Sequence, residues 1–235
     1  MKLTVLGNNG LYPLPGGACP GYLISHMGTN VLLDCGTGVL AHLLERITLK
    51  ELHAIVLSHL HFDHVSDILP MTYALAGSGR SEPVPLIAPT EPAPIRELFD
   101  ARVYSVREPG EMTIGALTLS FRPGRHPVPA YIVSVRSEDA RLVYTGDTNT
   151  HPVLADFFES ADLLLADAGL LEADWAEQKP HLSAARCGKL ARAAGVKRLL
   201  LTHLSPLCAP EAALEEARGH YPSAELAKLG CQYEL

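Results

Sequence analysis

Residues 54–64 read Ala54-Ile55-Val56-Leu57-Ser58-His59-Leu60-His61-Phe62-Asp63-His64. The four apolar residues at the front have the length of a buried strand, and a helical pattern runs from about His64 through Ala76. The His-x-His-x-Asp-His cluster therefore falls at a strand's carboxyl end, on a turn where closely spaced side chains point into one cleft. Imidazole nitrogens and a carboxylate suit zinc and similar first-row divalent ions. Asp63 and His64 lie in the first helical turn, where partial positive charge favours a carboxylate. The plain alternative is a solvated loop that happens to be rich in histidine, and the strand-then-helix setting argues against it.

A site of this kind needs further ligands, and three follow in order. His126 comes after Leu117-Thr118-Leu119-Ser120-Phe121 and a short Arg-Pro-Gly-Arg link, Asp147 ends Leu142-Val143-Tyr144-Thr145-Gly146, and His203 ends Leu199-Leu200-Leu201-Thr202. Each taken singly reads more readily as a turn or capping residue. Taken together they put four strand-like runs in a position to deliver a His or Asp to one place, since ligands bind outside the carboxyl ends of strands in open α/β sheets.

From end to end the chain resembles the ribonuclease Z-like branch of the metallo-β-lactamase superfamily. The matching stretches are Leu3-Thr4-Val5-Leu6-Gly7, Leu33-Asp34-Cys35-Gly36, the His59 to His64 cluster, Gly146-Asp147-Thr148, His181-Leu182-Ser183-Ala184 and Leu201-Thr202-His203. The resemblance implies that His59, His61 and His126 bind one metal ion, that Asp63, His64 and His203 bind a second, and that Asp147 bridges them. The expected cofactor is thus a pair of divalent ions, zinc first, with manganese or iron as alternatives. Such pairs sit roughly 3.5–4 Å apart and lower the pKa of a shared water enough to supply a nucleophile near neutral pH. Asp34 would orient the metal loop, against its reading as a hairpin-end turn residue. Asp63 is the candidate proton acceptor during attack. His181 precedes an amphipathic stretch that starts at Ser183, and a lone histidine there is usually a surface or capping group. The resemblance instead implies contact with the scissile phosphate and proton donation to the leaving group.

Two departures separate the chain from enzymes that trim transfer RNA. Those carry a long arm between the positions of His126 and Asp147, whereas Pro127 to Gly146 suffices only for a β-hairpin. The formal net charge of −7 also disfavours a protein that must neutralise many phosphates. No grip on a tRNA elbow is expected. The expected activity is hydrolysis of a small or cyclic nucleotide-like phosphodiester. Hydrolysis of a lactone, thioester or other acyl ester on the same site is the runner-up, and His181 discriminates because phosphate-directed members use it. A metal-binding scaffold or sensor that has lost catalysis is the reading from another class, and retention of all seven ligand candidates and His181 speaks against it.

A length of 235 residues fits one α/β hydrolase domain over 1–235. No apolar run approaches membrane-span length, and the start reads as a strand entering a glycine turn rather than a signal peptide, so the cytosol is the expected compartment. Five cysteines without a Cys-x-x-Cys pair suggest neither a disulfide framework nor a thiolate zinc site. The resemblance favours a homodimer. The glycine-rich stretch from Gly7 to Gly17 lacks phosphate-loop spacing and reads as a flexible loop that borders the cleft. Arg122 and Arg125 read as solvated, and His26, His42, His53, His151 and His220 as surface or packing residues.

Strands are expected near 2–6, 21–25, 30–34, 54–57, 86–88, 112–121, 130–136, 141–145, 162–166 and 198–202. Helices are expected near 37–46, 64–76, 95–99, 151–158, 184–194 and 210–219. Strands that meander and then alternate with helices in each half predict a four-layer αββα sandwich with the site at one edge, between the sheets.

Overall fold

Runs of leucine, isoleucine and valine this continuous need cover on both faces of a sheet, and the fold supplies it twice. In the computed structural model of residues 1–235, one sheet contains β1 (Lys2–Gly7), β2 (Gly21–His26), β3 (Thr29–Leu33), β4 (Ala54–Val56), β5 (Val84–Ile87) and β6 (Tyr104–Arg107). The second contains β7 (Met112–Ile114), β8 (Leu117–Pro123), β9 (Tyr131–Arg136), β10 (Arg141–Tyr144), β11 (Leu163–Asp167), β12 (Leu199–Thr202) and β13 (Glu225–Leu226). The last strand, β14 (Gln232–Glu234), returns to the first sheet beside β1. The spatial orders are β14-β1-β2-β3-β4-β5-β6 and β13-β12-β11-β10-β9-β8-β7. Each sheet is antiparallel where consecutive strands form hairpins and parallel where helices intervene, from β3 to β6 and from β10 to β13.

Strand alternation sorts side chains between three apolar layers. Tyr22 and Ile24 of β2, Ala54 and Val56 of β4, Leu142 and Tyr144 of β10, and Leu163 and Leu165 of β11 meet in the layer between the sheets. Their neighbours Leu23 and Ile55 face the other way, onto α1 (Val39–Leu44) and α3 (Ile68–Gly77). Val143, Leu164 and Ala166 face α5 (Leu154–Phe158), α6 (Ala184–Ala193) and α7 (Pro210–Arg218). The expected four-layer sandwich is the observed one.

Some boundaries differ from expectation for local reasons. The helix expected over 64–76 is two pieces, α2 (Phe62–Val65) and α3, because the backbone N–H of Asp67 donates to Cys35 O at 3.1 Å rather than within a helix, while its side chain accepts the backbone N–H of Leu40 at 2.8 Å. The strand expected over 112–121 is the β7–β8 hairpin, turning at Gly115 with φ +54°. The short helix expected over 95–99 is α4 (Ala93–Arg96). β6, β13 and β14 are additional short edge elements that lack a long apolar run. Pro127 to Gly146 does form a hairpin, β9 paired with β10. No helix is long and apolar enough to cross a membrane.

What this arrangement does for function is geometric. β4, β8, β10, β11 and β12 all finish at the same edge, and their ends and the segments that follow carry His59 to His64, His126, Asp147, Asp167 and His203.

Candidate metal centre

His59 and His61 occupy the loop after β4, while Asp63 and His64 sit in α2, whose first turn follows His61. His61 Nδ1 lies 3.1 Å from His59 Nε2 and 3.0 Å from His126 Nε2, so these imidazoles converge on one point. Next to them, His64 Nε2 lies 3.4 Å from Asp147 Oδ1 and 3.5 Å from Asp63 Oδ2. His203 Nε2 lies 3.2 Å from Asp147 Oδ2 and 3.3 Å from Asp63 Oδ2. Asp147 also reaches the first group, with Oδ2 at 3.7 Å from His59 Nε2. All seven side chains expected to share a site do meet, in two clusters joined by Asp147.

The hydrogen bonds around the rim decide which nitrogens face inward. His126 Nδ1 donates to the Pro180 carbonyl at 3.1 Å, and His64 Nδ1 donates to Asp34 Oδ2 at 2.8 Å. Ser58 Oγ gives its proton to Asp34 Oδ2 and is left to accept from His59 Nδ1 at 3.1 Å. These outer partners leave the Nε2 lone pairs of His59, His64 and His126 turned toward the centre. Lone pairs crowded this way repel unless a cation lies among them. Consistently, His64 Nε2 and Asp147 Oδ1 are buried and have no hydrogen-bond partner. Nitrogen and oxygen donors in this proportion suit a first-row divalent metal, and both clusters are able to hold one.

The clusters differ in charge. Burial pulls the His59 imidazole well below its usual pKa, and the charge on His64 adds to this; burial likewise lowers His61 and His126. These rings are neutral at pH 7 and ready to bind. His64 and His203 are also pushed down by burial, but Asp147 outweighs it for both, helped by Asp34 for one and Asp63 for the other, and their pKa values are raised. The carboxylates respond in kind. Burial opposes ionisation of Asp147, but His203, His64 and His59 drive it well below the carboxylate range; Asp63 is held at about 2 by His203 and His64 despite burial. The histidines and carboxylates of the second cluster thus favour one another's charged forms, and a metal ion binding there competes with protons for the same ring nitrogens.

Three positions that the sequence left open are resolved. Asp34 is fully buried and accepts from Ser58 N at 2.7 Å, Ser58 Oγ at 2.8 Å, His64 Nδ1 at 2.8 Å and Tyr144 Oη at 2.7 Å. It supports the centre from outside and is no mere turn residue. His181 lies beside the second cluster, its ring stacked on His203 at 4.9 Å and Nδ1 at 3.7 Å from Asp147 Oδ2. The loop from Gly7 to Gly17 borders the cleft but is pinned rather than loose. Leu11 N donates to Asp63 Oδ2 at 3.0 Å, and Gly10 packs so closely that a Cβ there would lie 2.5 Å from His203 Nδ1. Arg122 and Arg125 are exposed as expected, and the latter reaches Glu177 at 3.5 Å.

Asp167 is the group that sequence reasoning missed. It ends β11 as Asp147 follows β10, and its Oδ2 accepts His181 Nδ1 at 2.9 Å while Oδ1 lies 3.5 Å from His203 Nδ1. Its signal was present in Leu163-Leu164-Leu165-Ala166-Asp167, another apolar run closed by an acid. Burial alone would lower His181, but the charge of Asp167, its hydrogen bond and the nearby Asp147 hold the imidazole at about 9, so it is protonated at pH 7.

Residues 29–204, more than half of the chain, match the model of the beta-lactamase superfamily domain. The chain belongs to the metallo-β-lactamase superfamily. Among its relatives is the probable metallo-hydrolase YhfI of Bacillus subtilis, 33% identical over 215 residues that cover 87% of each protein. The crystal structure of YhfI superposes with a TM-score of 0.94 at 28% identity, covering 100% of this chain and 99% of that one. Ribonuclease Z of Methanosarcina acetivorans is 27% identical over 267 aligned positions, covering 87% of this chain and 88% of the relative. That alignment is longer than this chain's 235 residues, so the relative carries segments absent here. Within the superfamily the chain is a metallo-hydrolase related to ribonuclease Z, as its sequence motifs indicate.

Replacing Asp34 with Ala should leave the buried donors of Ser58, His64 and Tyr144 without an acceptor. The expected loss is at least about 3 kcal/mol of unfolding free energy, with metal affinity down roughly 10–100-fold. Urea denaturation and metal competition against a chelator measure the two effects. Wild-type values in both would show that Asp34 supports nothing.

Proposed function

We propose that the protein is a dinuclear metal-dependent phosphodiesterase for small or cyclic nucleotide-like esters, with zinc as the expected metal. The observation that carries this reading is the placement of His181, held by Asp167 at 2.9 Å beside the cluster of Asp63, His64, Asp147 and His203. In this assignment His59, His61 and His126 hold one ion, Asp63, His64 and His203 hold the other, and Asp147 serves both. Two such ions supply Lewis acidity and a nucleophile at neutral pH.

The chain's own groups supply the rest. With Nδ1 bound to Asp167, His181 keeps Nε2–H free to donate to a phosphoryl oxygen and then to protonate the departing alkoxide. Asp167 orients the ring by accepting its Nδ1–H at 2.9 Å. Asp63, held at about 2, is a carboxylate at working pH and able to take a proton on the side of attack. The pinned Gly10-Leu11 backbone covers His203 and Asp63 and restricts solvent there. An alkoxide leaving group needs an acid, and a partly buried imidazole paired with Asp167 provides one. The short β9–β10 hairpin supports a small substrate, since it leaves no arm for gripping a folded RNA.

Elemental analysis of the purified protein should find about two transition-metal ions per chain. Asp147→Ala should lose both together, and full occupancy in that variant would rule out the bridging assignment.

A small aryl phosphodiester should be hydrolysed far faster than precursor tRNA is trimmed. Efficient 3′ cleavage of precursor tRNA at physiological salt would overturn the inference from the missing arm. Preference for lactones or thioesters in the same panel would favour acyl hydrolysis instead.

His181→Ala should retain its metals and lose about 10²–10⁴ in rate on alkyl phosphodiesters, where the leaving group needs a proton. The loss should be much smaller on nitrophenyl diesters. Equal losses on both substrates, or release of metal, would exclude the donor role.

A further inference from the structure

His126 and His181 are presented with the help of one loop, and the Asn149 side chain makes most of the side-chain hydrogen bonds to it. Asn149 follows Asp147 by two residues and is fully buried. Its Nδ2 donates to the carbonyls of Lys179 at 2.6 Å and Ala176 at 2.9 Å, with a longer contact to Glu177 at 3.4 Å. No other side chain donates to these carbonyls. Its Oδ1 accepts from Trp175 Nε1 at 2.8 Å and from the backbone N–H of Thr150. Its own backbone N–H donates to Arg125 O at 3.0 Å, in the loop that carries His126. Both N–H groups and both lone pairs of the amide are therefore used, which neither a hydroxyl nor a carboxylate could reproduce.

The residues just beyond this clamp have two tasks. The Pro180 carbonyl accepts from His126 Nδ1 and so selects the tautomer whose Nε2 faces the first cluster. His181 comes next. Its carboxyl-side neighbours are tied separately, through Leu170 N to Leu182 O at 3.3 Å and Ala184 N to Leu170 O at 3.0 Å. Ser183 also bonds to Glu172 and caps α6 by accepting Arg186 N at 3.2 Å. The amino-side half, 175–180, has Asn149 as its main attachment to the centre.

We propose that Asn149 is a positioning residue that clamps segment 175–180 and thereby sets both the His126 tautomer and the placement of His181. The proposal rests on the reading of His126 as a metal ligand and His181 as a proton donor. It makes the loop of Asp147 the common frame for both clusters and for the acid. Asn149 itself touches no reacting atom.

The decisive comparison uses Asn149→Asp, which keeps size and the acceptor atom but replaces the donor with an oxygen facing three carbonyls, alongside Asn149→Ala. In the metal-free protein, amide exchange in a peptide covering 175–182 should speed up by about tenfold or more, with exchange in β11 and β12 unchanged. Zinc affinity, read by chelator competition, should fall roughly 10–100-fold. The ratio of alkyl to nitrophenyl phosphodiester rates should also drop, which a general loss of stability would not cause. Wild-type exchange and zinc affinity in Asn149→Asp would overturn the proposal, as would equal acceleration throughout β11 and β12. If the Asn149 variants do not fold, Trp175→Phe decides. It retains a ring over Arg186, now 3.1 Å from the indole centroid, and removes only the N–H given to Asn149; faster exchange in 175–182 supports the clamp, and unchanged exchange refutes it. Should the wild-type protein cleave no phosphodiester, the functional reading fails, while exchange and zinc affinity still decide the clamp.

Discussion

A single buried carboxylate, Asp34, ties the metal loop to both sheets. It leaves the end of β3 with φ +56° and receives Ser58 and His64 from the loop and α2 that follow β4, and the Tyr144 hydroxyl from β10 of the opposite sheet. A carboxylate so deeply buried is costly unless its lone pairs are occupied, and here they are. Because Ser58 and His64 flank the metal-binding run and Tyr144 starts the turn toward Asp147, satisfying Asp34 also sets the spacing between the clusters. Tyr22 supports the same end of the interlayer core, packed on Tyr144 at 5.0 Å with its hydroxyl 2.6 Å from Thr202, next to His203.

That constraint is matched by backbone strain concentrated where the chemistry lies. Leu11, Asp34 and His203 are three of the five non-glycine residues with positive φ. Conformations that L-residues rarely adopt persist only when surrounding contacts over-determine them. Each of these residues has such contacts: Leu11 through Asp63, Asp34 through its four donors, His203 through the carboxylates and the close Gly10 backbone. Gly146, with φ +53°, provides the corresponding tight turn before Asp147, and a Cβ there would lie 2.9 Å from both Ser58 Cβ and Tyr131 O.

The centre therefore has an asymmetric support. The first cluster is oriented by neutral acceptors, the Ser58 hydroxyl and the Pro180 carbonyl, and its rings are uncharged. The second is oriented by Asp34, which accepts from His64 Nδ1, and by Asp167, which lies beside His203 Nδ1. His181 belongs with this acidic side, its Nδ1 held by Asp167 and its ring stacked on His203. The loops that carry these groups come from five strand ends, and packing against α6 and the Asn149 clamp brings them within reach of one another.

Much of this was legible in the sequence. Periodicity and strand-length apolar runs determined the layers, because a strand buried on both faces must read as a continuous apolar stretch. The spacing of His59 to His64 determined a metal site, because only a strand-to-helix turn brings those side chains together locally. Asp147 and His203 announced themselves as polar residues closing apolar runs. Tertiary structure alone decided the rest. Asp167 closes its run in the same way, yet only its contact with His181 distinguishes it from an ordinary strand end. Asp34 has the same composition as any turn aspartate until Tyr144 arrives from the other sheet. The role of Asn149 depends on a hydrogen bond to Lys179 across 30 residues of sequence and that of the Pro180 carbonyl on one to His126 across 54, and no local pattern encodes such contacts, because their energy arises from burial that exists only once the two sheets have closed on each other.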